Sequence, residues 1–254
     1  MTEAILPAWT RTDLLGLPLD LVRREDVLVA VPDLIRSGRS HHLVALNPIK
    51  VMRADREPEL RELIRNATCV FPDASGISWA VWMLERRRLP VLPGCELMED
   101  LLELADRQRY RVFLVGARPE VIGEMRRRLA DRHPGIELVG ARDGYFAAEE
   151  QPRVARTAVE ARPDMLFVGM GARRQEAFLR AVDAAGGVPV MMAVGGSFDA
   201  YVGAVARPPR WLRRMRLEWL YRLVRQPFRA PRMVALPRFA CRVLQARFRR
   251  APRR

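Results

Sequence analysis

Short apolar runs alternate with longer amphipathic stretches along most of this chain. The apolar runs have the length of β-strands and lie at residues 42–46, 69–71, 111–115, 136–139, 165–168 and 190–194. The amphipathic stretches place apolar residues three or four positions apart, as helices do, at residues 57–66, 97–107, 119–132, 149–161 and 174–185. This alternation predicts an α/β domain, in which a mainly parallel sheet carries helices on both faces.

The pattern changes near Arg207. Residues 210–224 place tryptophan, methionine and leucine at helical spacing with arginines between them, and residues 239–248 have the pattern of a last basic amphipathic helix. Three prolines are expected to break this segment into short pieces, Pro227, Pro231 and Pro237. We therefore predict an α/β catalytic domain over residues 1–206 and a basic helical appendage over residues 207–254.

The net charge of +14 at neutral pH is unevenly distributed. Residues 207–254 contain 16 arginines and one acidic residue, Glu218, so the remaining residues are close to neutral as a group. A basic segment on a near-neutral body is typical of an arm that contacts a polyanion or an anionic membrane surface. Lys50 is the only lysine of the chain. We attribute the preference for arginine to genome composition and assign Lys50 no role.

Length and composition narrow the class of protein. A chain of 254 residues, 49% of them hydrophobic, can bury a full core. No stretch reaches the roughly 18 consecutive apolar residues of a membrane-spanning helix, and residues 1–20 lack the pattern of a signal peptide. The three cysteines have no disulfide-like or metal-like spacing, which predicts a reducing, cytoplasmic compartment.

Glycines, small residues and carboxylates follow the predicted strands. Ligands of open α/β sheets bind at the carboxyl ends of the strands, so these residues are candidates for a site. Backbone without bulky side chains can approach a phosphate or a sugar closely. Taken singly, each glycine-rich turn is better explained as a tight connection that needs positive φ, and it is the occurrence of five such turns with polar residues at one predicted edge that favours a site. The candidates are Asn47, Asp73, Gly116, Gly169, Gly171, Gly195, Gly196 and Asp199.

Asp73 directly follows an apolar run and precedes a flexible Ala-Ser-Gly sequence. A partly buried carboxylate at this position can act as a general base. It can also be a helix N-cap, and the residues alone leave both interpretations open. Asp199 presents the same alternatives. No spacing of carboxylates, histidines or cysteines supports a metal site, so none is predicted.

Several of these residues belong to longer motifs in a fixed order. They include Asn47, the Phe71-Pro72-Asp73 sequence with Gly76, Pro93-Gly94-x-x-Leu97-Met98 and Asp143-Gly144-Tyr145-Phe146. The most specific are PDMLFVGMG at residues 163–171 with Gln175-Glu176, VGGSFD at residues 194–199, and LEWLYRL at residues 217–223. From about Asn47 to about Phe239 the chain resembles the WecG/TagA/CpsF family of glycosyltransferases, glycosyltransferase family 26.

The resemblance implies a Rossmann-like core and an appendage that docks over the active site. It implies inverting transfer of a hexose or N-acetylhexosamine-type sugar from a UDP-sugar to a polyprenyl-diphosphate-linked saccharide, in the synthesis of a bacterial cell-surface polymer or exopolysaccharide. Asp73 matches the family's proposed base, and Asn47 belongs to the same catalytic region. Three appendage arginines are expected to stabilise diphosphate charge in place of a metal or other cofactor, Arg222, Arg229 and Arg232. Substrate binding is expected from Gly94, Gly116, Gly169, Gly171, Gln175, Glu176, Gly195, Gly196 and Asp199.

Some positions depart from the family's pattern. Ala45 stands where the family often has threonine, and Cys95-Glu96 stands where Ser-Asp is usual. Arg173-Arg174 replaces a Pro-Lys pair before Gln175-Glu176. The departures cluster where the donor is expected. They leave the donor sugar open among N-acetylmannosamine, its uronic acid and glucose.

The appendage combines arginines with six aromatic residues. This combination is typical of a lipid interface, where each basic residue near an anionic leaflet contributes about 1 kcal/mol. Nucleic-acid binding and a disordered basic tail are the alternatives. We expect peripheral attachment to the cytoplasmic face of the inner membrane and no nucleic-acid partner, with self-association left open. The alternative function is a non-catalytic nucleotide-sugar or nucleic-acid binding protein with the same fold.

Overall fold

The six predicted strands form one parallel sheet in the computed structural model, which describes residues 9–204 and 234–250. The strands are β1 (Arg11–Leu14), β2 (Leu17–Asp20), β3 (His41–Leu46), β4 (Cys69–Pro72), β5 (Arg111–Gly116), β6 (Glu137–Arg142), β7 (Met165–Gly169) and β8 (Val190–Ala193). Strands β3 to β8 lie in the order β4-β3-β8-β7-β5-β6, and every neighbouring pair is parallel. The predicted Rossmann-like, parallel sheet is therefore confirmed.

Helices connect the strands and cover both faces of the sheet. They are α1 (Arg24–Arg36), α2 (Pro48–Ala54), α3 (Pro58–Arg65), α4 (Ser75–Glu85), α5 (Gly94–Gln108), α6 (Pro119–Arg132), α7 (Gln151–Glu160), α8 (Ala172–Ala184), α9 (Ser197–Tyr201) and a helix over Ala235–Arg250, called the C-terminal helix below. The predicted helices correspond to α3, α5, α6, α7 and α8, each within one turn at either end.

Four helices, α1, α2, α4 and α9, were not predicted from the pattern, for identifiable reasons. Pro32 lies inside α1, where proline normally ends a helix. α4 has the sequence SGISWAVWMLE, which is apolar around most of its circumference and lacks a clear helical period. α2 and α9 are short and begin directly after a strand, so they offer too few residues for a period to be recognised.

Alternation along the strands divides the core into two layers. In β3, Val44 and Leu46 face one layer and Leu43 and Ala45 face the other. The first layer packs under α2, α3, α4, α7, α8 and the C-terminal helix, and the second packs under α1, α5 and α6. Strands buried on both faces have near-continuous apolar sequences, which is why their positions could be predicted.

A β-hairpin, β1–β2, covers the edge of the sheet beside β4 and was not predicted. Its two-residue turn has φ of +58° at Leu15 and +87° at Gly16, as a tight hairpin turn requires. Glycine readily adopts a positive φ but leucine does not, so only one of the two turn residues could be recognised as a turn residue from the sequence. The buried Asp20 carboxylate accepts hydrogen bonds from Arg11 at 2.7 and 2.9 Å and from the Val70 N–H at 2.7 Å. Asp20 thereby accepts from the Val70 N–H, a backbone donor at the edge of the sheet that has no strand partner on that side.

The C-terminal helix packs on α2 and α4, with Phe239 and Val243 fully buried in the first core layer. Arg242 pairs with Asp55 and donates to the Leu15 carbonyl oxygen at 3.2 Å. The helix begins before the predicted residue 239. Pro237 does not break it, because the first turn of a helix does not need a proline N–H. The boundary predicted at residue 206 lies outside the described residues and stays a prediction.

Removal of the Phe239 side chain should destabilise the whole body. We expect Phe239→Ala to lower the free energy of unfolding by about 3–5 kcal/mol, because it empties a packed core site. Phe248→Ala in the same helix is the matched control, since Phe248 is 77% exposed and its loss should change stability by less than about 0.5 kcal/mol. Denaturant unfolding measures both. Equal effects would show that the helix does not pack as described.

Candidate active site

The parallel sheet brings the predicted site residues to one edge. Asn47 follows β3, Asp73 follows β4, Gly94 begins α5, and the other predicted glycines and Asp199 lie at or after β5, β7 and β8. The edge is long. Because β3 and β8 lie between β4 and β7, these two strands are about 14 Å apart at normal strand spacing. Three predicted arginines lie outside the described residues, Arg222, Arg229 and Arg232.

Asp73 is half-buried at the end of β4, and two donors hold its carboxylate. The Gly94 N–H donates to Oδ1 at 2.7 Å, and Nδ2 of Asn47 donates to Oδ2 at 3.4 Å. The N-cap of α4 is Ala74, so the interpretation of Asp73 as the cap of that helix is wrong. Its carboxylate instead lies at the first residue of α5, where the positive end of a helix favours negative charge. This fixed orientation suits a general base.

Asn47 links this carboxylate to α2. Its Oδ1 accepts a hydrogen bond from the Lys50 N–H at 2.9 Å and so caps α2, while its amide group donates to Asp73. One side chain therefore fixes the start of a helix and one side of the Asp73 carboxylate.

Gly94 allows α5 to approach Asp73. A Cβ atom at Gly94 would lie 3.3 Å from Asp73 Oδ1 and 3.5 Å from the Ala45 Cβ. Any side chain there would press on the carboxylate. The described contact of Gly94 is thus with Asp73, and its predicted contact with substrate stays a prediction.

Gly116 and Gly169 lie together at the ends of β5 and β7. Gly116 has φ of +136°, and a Cβ atom on it would lie 2.4 Å from the Gly169 carbonyl carbon. The Ala117 N–H donates to the Gly169 carbonyl oxygen at 2.8 Å. The chain leaves β5 towards β6 on one side and leaves β7 towards β8 on the other. The ends of β5 and β7, which we call the β5–β7 crevice, are therefore the point of divergence at which α/β sheets bind ligands.

The loop from β7 into α8 ends at the exposed Gly171, which has φ of +80°. The unpaired N–H groups at the start of α8 form an electropositive position that suits a phosphate. The side chain of Gln175 contacts protein: its Oε1 accepts from the Gly195 N–H at 3.1 Å. It thereby positions the Gly195-Gly196 turn after β8.

Glu176 is buried, and its carboxylate accepts from two nitrogens of Arg53 at 2.6 and 3.1 Å. Arg53 also pairs with Glu57, which in turn accepts from Arg173 at 3.0 Å. Burial lowers the pKa of Arg53, but its bonds to Glu57 and Glu176 outweigh burial and raise that pKa. The described contacts of Glu176 are thus internal, and its predicted contact with substrate stays a prediction.

Asp199 lies in α9 and is partly exposed. Its carboxylate is 3.8 Å from the Arg118 guanidinium, which belongs to the loop after β5. Arg118 follows β5 and Asp199 follows β8, so both lie at the carboxyl edge of the sheet. Its role in binding substrate also stays a prediction.

The sequence interpretation missed Lys50 and Arg53, which both lie on α2. Lys50 is only 8% exposed, and its acidic neighbours are Glu176 and Asp73. Burial lowers the pKa of Lys50, and the two carboxylates partly oppose that shift. A signal was present in the sequence, because a chain that otherwise uses arginine retains one lysine.

Within residues 9–204 and 234–250, no three histidine, cysteine, aspartate or glutamate side chains come close enough together to hold a metal ion. No helix in the same ranges is long and apolar enough to cross a membrane. The expectation of a metal-independent reaction stays a prediction.

A methyl group at Gly94 should impair the site while the fold persists. We expect Gly94→Ala to displace the Asp73 carboxylate by a few tenths of an ångström and to lower kcat by about tenfold to a hundredfold, as misplacement of a catalytic group does. Gly123→Ala is the control: Gly123 lies in α6 with no atom near its added Cβ, and its replacement should stabilise the helix by about 0.5–1 kcal/mol. Turnover and thermal unfolding of both variants test this. Wild-type turnover by Gly94→Ala would contradict it.

Comparison with known proteins gives one consistent result. The profile of the glycosyl transferase WecG/TagA/CpsF family matches residues 12–253. The N-acetylglucosaminyldiphosphoundecaprenol N-acetyl-beta-D-mannosaminyltransferase of Bacillus subtilis (strain 168) is 31% identical over 200 residues, which cover 79% of this chain and 77% of that protein. The enzyme of the same name from Bacillus spizizenii is 34% identical over 203 residues, 80% of this chain and 78% of that protein. The chain therefore belongs to the WecG/TagA/CpsF family of glycosyl transferases.

Proposed function

We propose that this enzyme transfers a sugar from a UDP-sugar to a saccharide carried on a polyprenyl diphosphate, with inversion at the anomeric carbon. The observation that carries the proposal is the Asp73 carboxylate. It is held by Gly94 and Asn47 at the carboxyl edge of a parallel sheet, where this fold binds its ligands. Membership of the family supports the reaction class.

The names of the two relatives suggest both substrates. Each relative transfers N-acetylmannosamine to N-acetylglucosaminyl-diphospho-undecaprenol. We therefore propose a UDP-linked N-acetylmannosamine as the first donor to test and a polyprenyl-diphosphate-linked N-acetylglucosamine as the first acceptor. The departures near the donor site are the reason to test other UDP-sugars beside it.

Two of those departures have clear contacts. Arg173 pairs with Glu57 at 3.0 Å, and Arg174 donates to the Phe146 carbonyl oxygen at 2.9 Å and stacks 5.7 Å from the Phe146 ring. Both side chains thus brace the start of α8 against neighbouring elements. This arrangement is compatible with donor binding in the adjacent crevice.

The proposed mechanism uses Asp73 as the base. An acceptor hydroxyl gives its proton to the Asp73 carboxylate, and the hydroxyl oxygen forms a bond to the anomeric carbon of the donor. The bond from that carbon to the UDP oxygen breaks, and UDP leaves with the electron pair. Attack from the face opposite UDP inverts the configuration. Asn47 and Gly94 keep the carboxylate oriented through the exchange.

The long site edge suits a donor that is itself extended. The β5–β7 crevice, with Gly116 and Gly169, is proposed to hold the nucleotide, and the sugar would then point along the edge towards Asp73. Arg222, Arg229 and Arg232 are proposed to stabilise the diphosphate as charge builds on the leaving UDP. Guanidinium groups are suited to this task because they remain charged.

The loss of the Asp73 carboxylate should abolish transfer and spare donor binding. We expect Asp73→Asn to lower kcat by about a thousandfold or more and to leave the UDP affinity within about threefold, because the amide keeps the shape but cannot take a proton. The assay is acceptor-dependent release of UDP from a panel of UDP-sugars, with a short-chain polyprenyl-diphosphate-N-acetylglucosamine and with or without EDTA.

The assay separates the alternatives. Release that EDTA does not affect supports a metal-independent transferase and identifies the donor sugar. Wild-type turnover by Asp73→Asn would refute the base. Binding of UDP without transfer from any donor would favour the alternative function, a non-catalytic nucleotide-sugar binding protein. Equal affinity for UDP and for arbitrary DNA at physiological salt would favour a nucleic-acid binding protein.

We also propose peripheral attachment to the cytoplasmic face of the inner membrane, where a lipid-linked acceptor would be met. A described surface supports this. Arg86, Arg87 and Arg88 are exposed after α4, and the Arg86 guanidinium lies 5.3 Å from the ring of the partly exposed Trp82. The C-terminal helix reaches the same end of α4, because Arg247 donates to the Met83 carbonyl oxygen.

This surface has the composition of a lipid contact. On the C-terminal helix, Leu244 and Phe248 are 38% and 77% exposed and lie one turn apart. Together with Trp82 and Arg86–Arg88 they form what we call the basic-aromatic surface. Aromatic and apolar side chains enter the interface, and arginines contact anionic headgroups.

Neutralisation of the three arginines should weaken membrane binding. We expect Arg86→Gln/Arg87→Gln/Arg88→Gln to lower sedimentation with phosphatidylglycerol vesicles by at least about tenfold in partition coefficient, since each arginine contributes about 1 kcal/mol. Turnover of a short-chain acceptor should not change. The charge-matched control replaces three exposed arginines of other elements with glutamine: Arg39 before β3, Arg107 in α5 and Arg126 in α6.

The substitutions are preferable to truncation after Ala206, which would also remove the buried Phe239 and Val243. Equal loss of vesicle binding in both triple variants would indicate a net-charge effect without a specific surface. Unchanged binding by the Arg86–Arg88 variant would refute the role of this surface.

A further inference from the structure

Lys50 is the only lysine among 44 basic residues, and it is buried in the candidate active site. Every other lysine or arginine position of the chain, including those on the surface, is occupied by arginine. The one position that differs lies on α2, one turn after Asn47 and next to Asp73 and Glu176.

The Lys50 ammonium has no hydrogen-bond acceptor in the described part of the chain. The hydrogen bond that Lys50 makes there comes from its backbone N–H, which donates to Asn47 Oδ1. Glu176 and Asp73 act on the ammonium as charges at a distance, and Arg53 repels it. Lys50 as a residue is only 8% exposed, but its Nζ is not one of the fully enclosed side-chain atoms that lack a partner. The three donors of the ammonium are therefore accessible from the site, and a ligand that brings anionic oxygens can accept their hydrogen bonds.

The sheet order explains which part of a ligand would reach Lys50. α2 follows β3. On one side of β3 lies β4, the strand before Asp73. On the other side lie β8 and then β7, which lead towards Glu176 and the β5–β7 crevice. Lys50 is thus placed between the proposed base and the proposed nucleotide position. In a sugar nucleotide, the group between the sugar and the nucleoside is the diphosphate.

We propose that Lys50 is a binding residue for the diphosphate group of a substrate. The inference rests on the proposed function for the identity of the substrates, and both of them contain a diphosphate. Glu176, held by Arg53, and Asp73 fix the electrostatic surroundings of the ammonium in the free enzyme. When a diphosphate binds, its oxygens accept the hydrogen bonds that the protein leaves unmade.

Lysine suits this position better than arginine. An ammonium is a compact point charge on a flexible stem, whereas a guanidinium is a planar fork that needs more space and a flat partner. The space beside Lys50 is limited, because only 8% of the residue is exposed. A lysine can therefore be retained here in a chain that otherwise uses arginine.

The test measures binding by variants of the full chain. Lys50→Met keeps the length of the side chain and removes the charge, and Lys50→Gln replaces it if Lys50→Met does not fold. Dissociation constants are measured by calorimetry for UDP and for inorganic pyrophosphate, and KM is measured for the short-chain acceptor. Arg39→Met, which removes one exposed charge far from the site, is the control.

We expect loss of the Lys50 ammonium to weaken diphosphate binding about 10- to 100-fold, as loss of a charged hydrogen bond does. The control should bind like the wild type. A weaker UDP and pyrophosphate affinity with an unchanged acceptor KM would assign the contact to the donor. A raised acceptor KM with unchanged UDP affinity would assign it to the lipid diphosphate. Both outcomes support the inference.

Two outcomes would overturn it. A folded Lys50 variant with wild-type constants for UDP, pyrophosphate and acceptor would show that Lys50 contacts no diphosphate. A lower kcat with all three constants unchanged would show that Lys50 acts only through Asp73. Pyrophosphate also separates this inference from the proposed function. Lys50-dependent pyrophosphate binding without turnover of any UDP-sugar would refute the function and keep the inference.

Discussion

The direction of the strands is the constraint on which the rest of this structure depends. Because β3 to β8 all run the same way, every loop that follows a strand reaches the same edge of the sheet. The polar residues and flexible glycines of those loops therefore meet, although they are far apart in sequence. Asp73 acquires its partners by this route: Asn47 comes from the neighbouring strand end, and Gly94 comes from the start of the next helix.

A compact set of charges lies behind that edge. Asp73 and Glu176 are the anions, and Lys50 and Arg53 are the cations. The Arg53–Glu176 pair joins α2 to α8 and so connects the part of the site near Asp73 to the part near the β5–β7 crevice. Buried pairs of this kind contribute little net stability, but each partner becomes costly to remove alone. Their structural effect is to fix the position of α2 relative to the two ends of the site.

Sequence patterns were sufficient for the parallel sheet, because strands buried on both faces leave long apolar runs. They failed for α4, whose apolar circumference hides the helical period, and for the hairpin turn at Leu15, where leucine adopts a conformation that it seldom favours. These features are decided by packing against neighbours that are remote in sequence. Local patterns do not contain that information.

The candidate site, like the fold, could be predicted only in part from the sequence. Motif order identified Asp73 and Gly94, and the structure supplied the reason for their proximity. The side chains of Gln175 and Glu176 stood in the most specific motif, yet their described contacts are with protein. Lys50 carried no motif. Its significance depends on burial beside two carboxylates, which only the folded chain reveals.

The position of the C-terminal helix has a consequence for how the protein is made. This helix covers α2, which begins just after Asn47, and α4, which begins just after Asp73. Its residues leave the ribosome only after the whole sheet has been synthesised. During most of translation, the apolar side chains of α2 and α4 that Phe239 and Val243 later cover are therefore exposed, and exposed apolar surface of this kind promotes aggregation of incomplete chains. Synthesis of the helix closes that surface, so the core is completed only at a late step of the protein's own production.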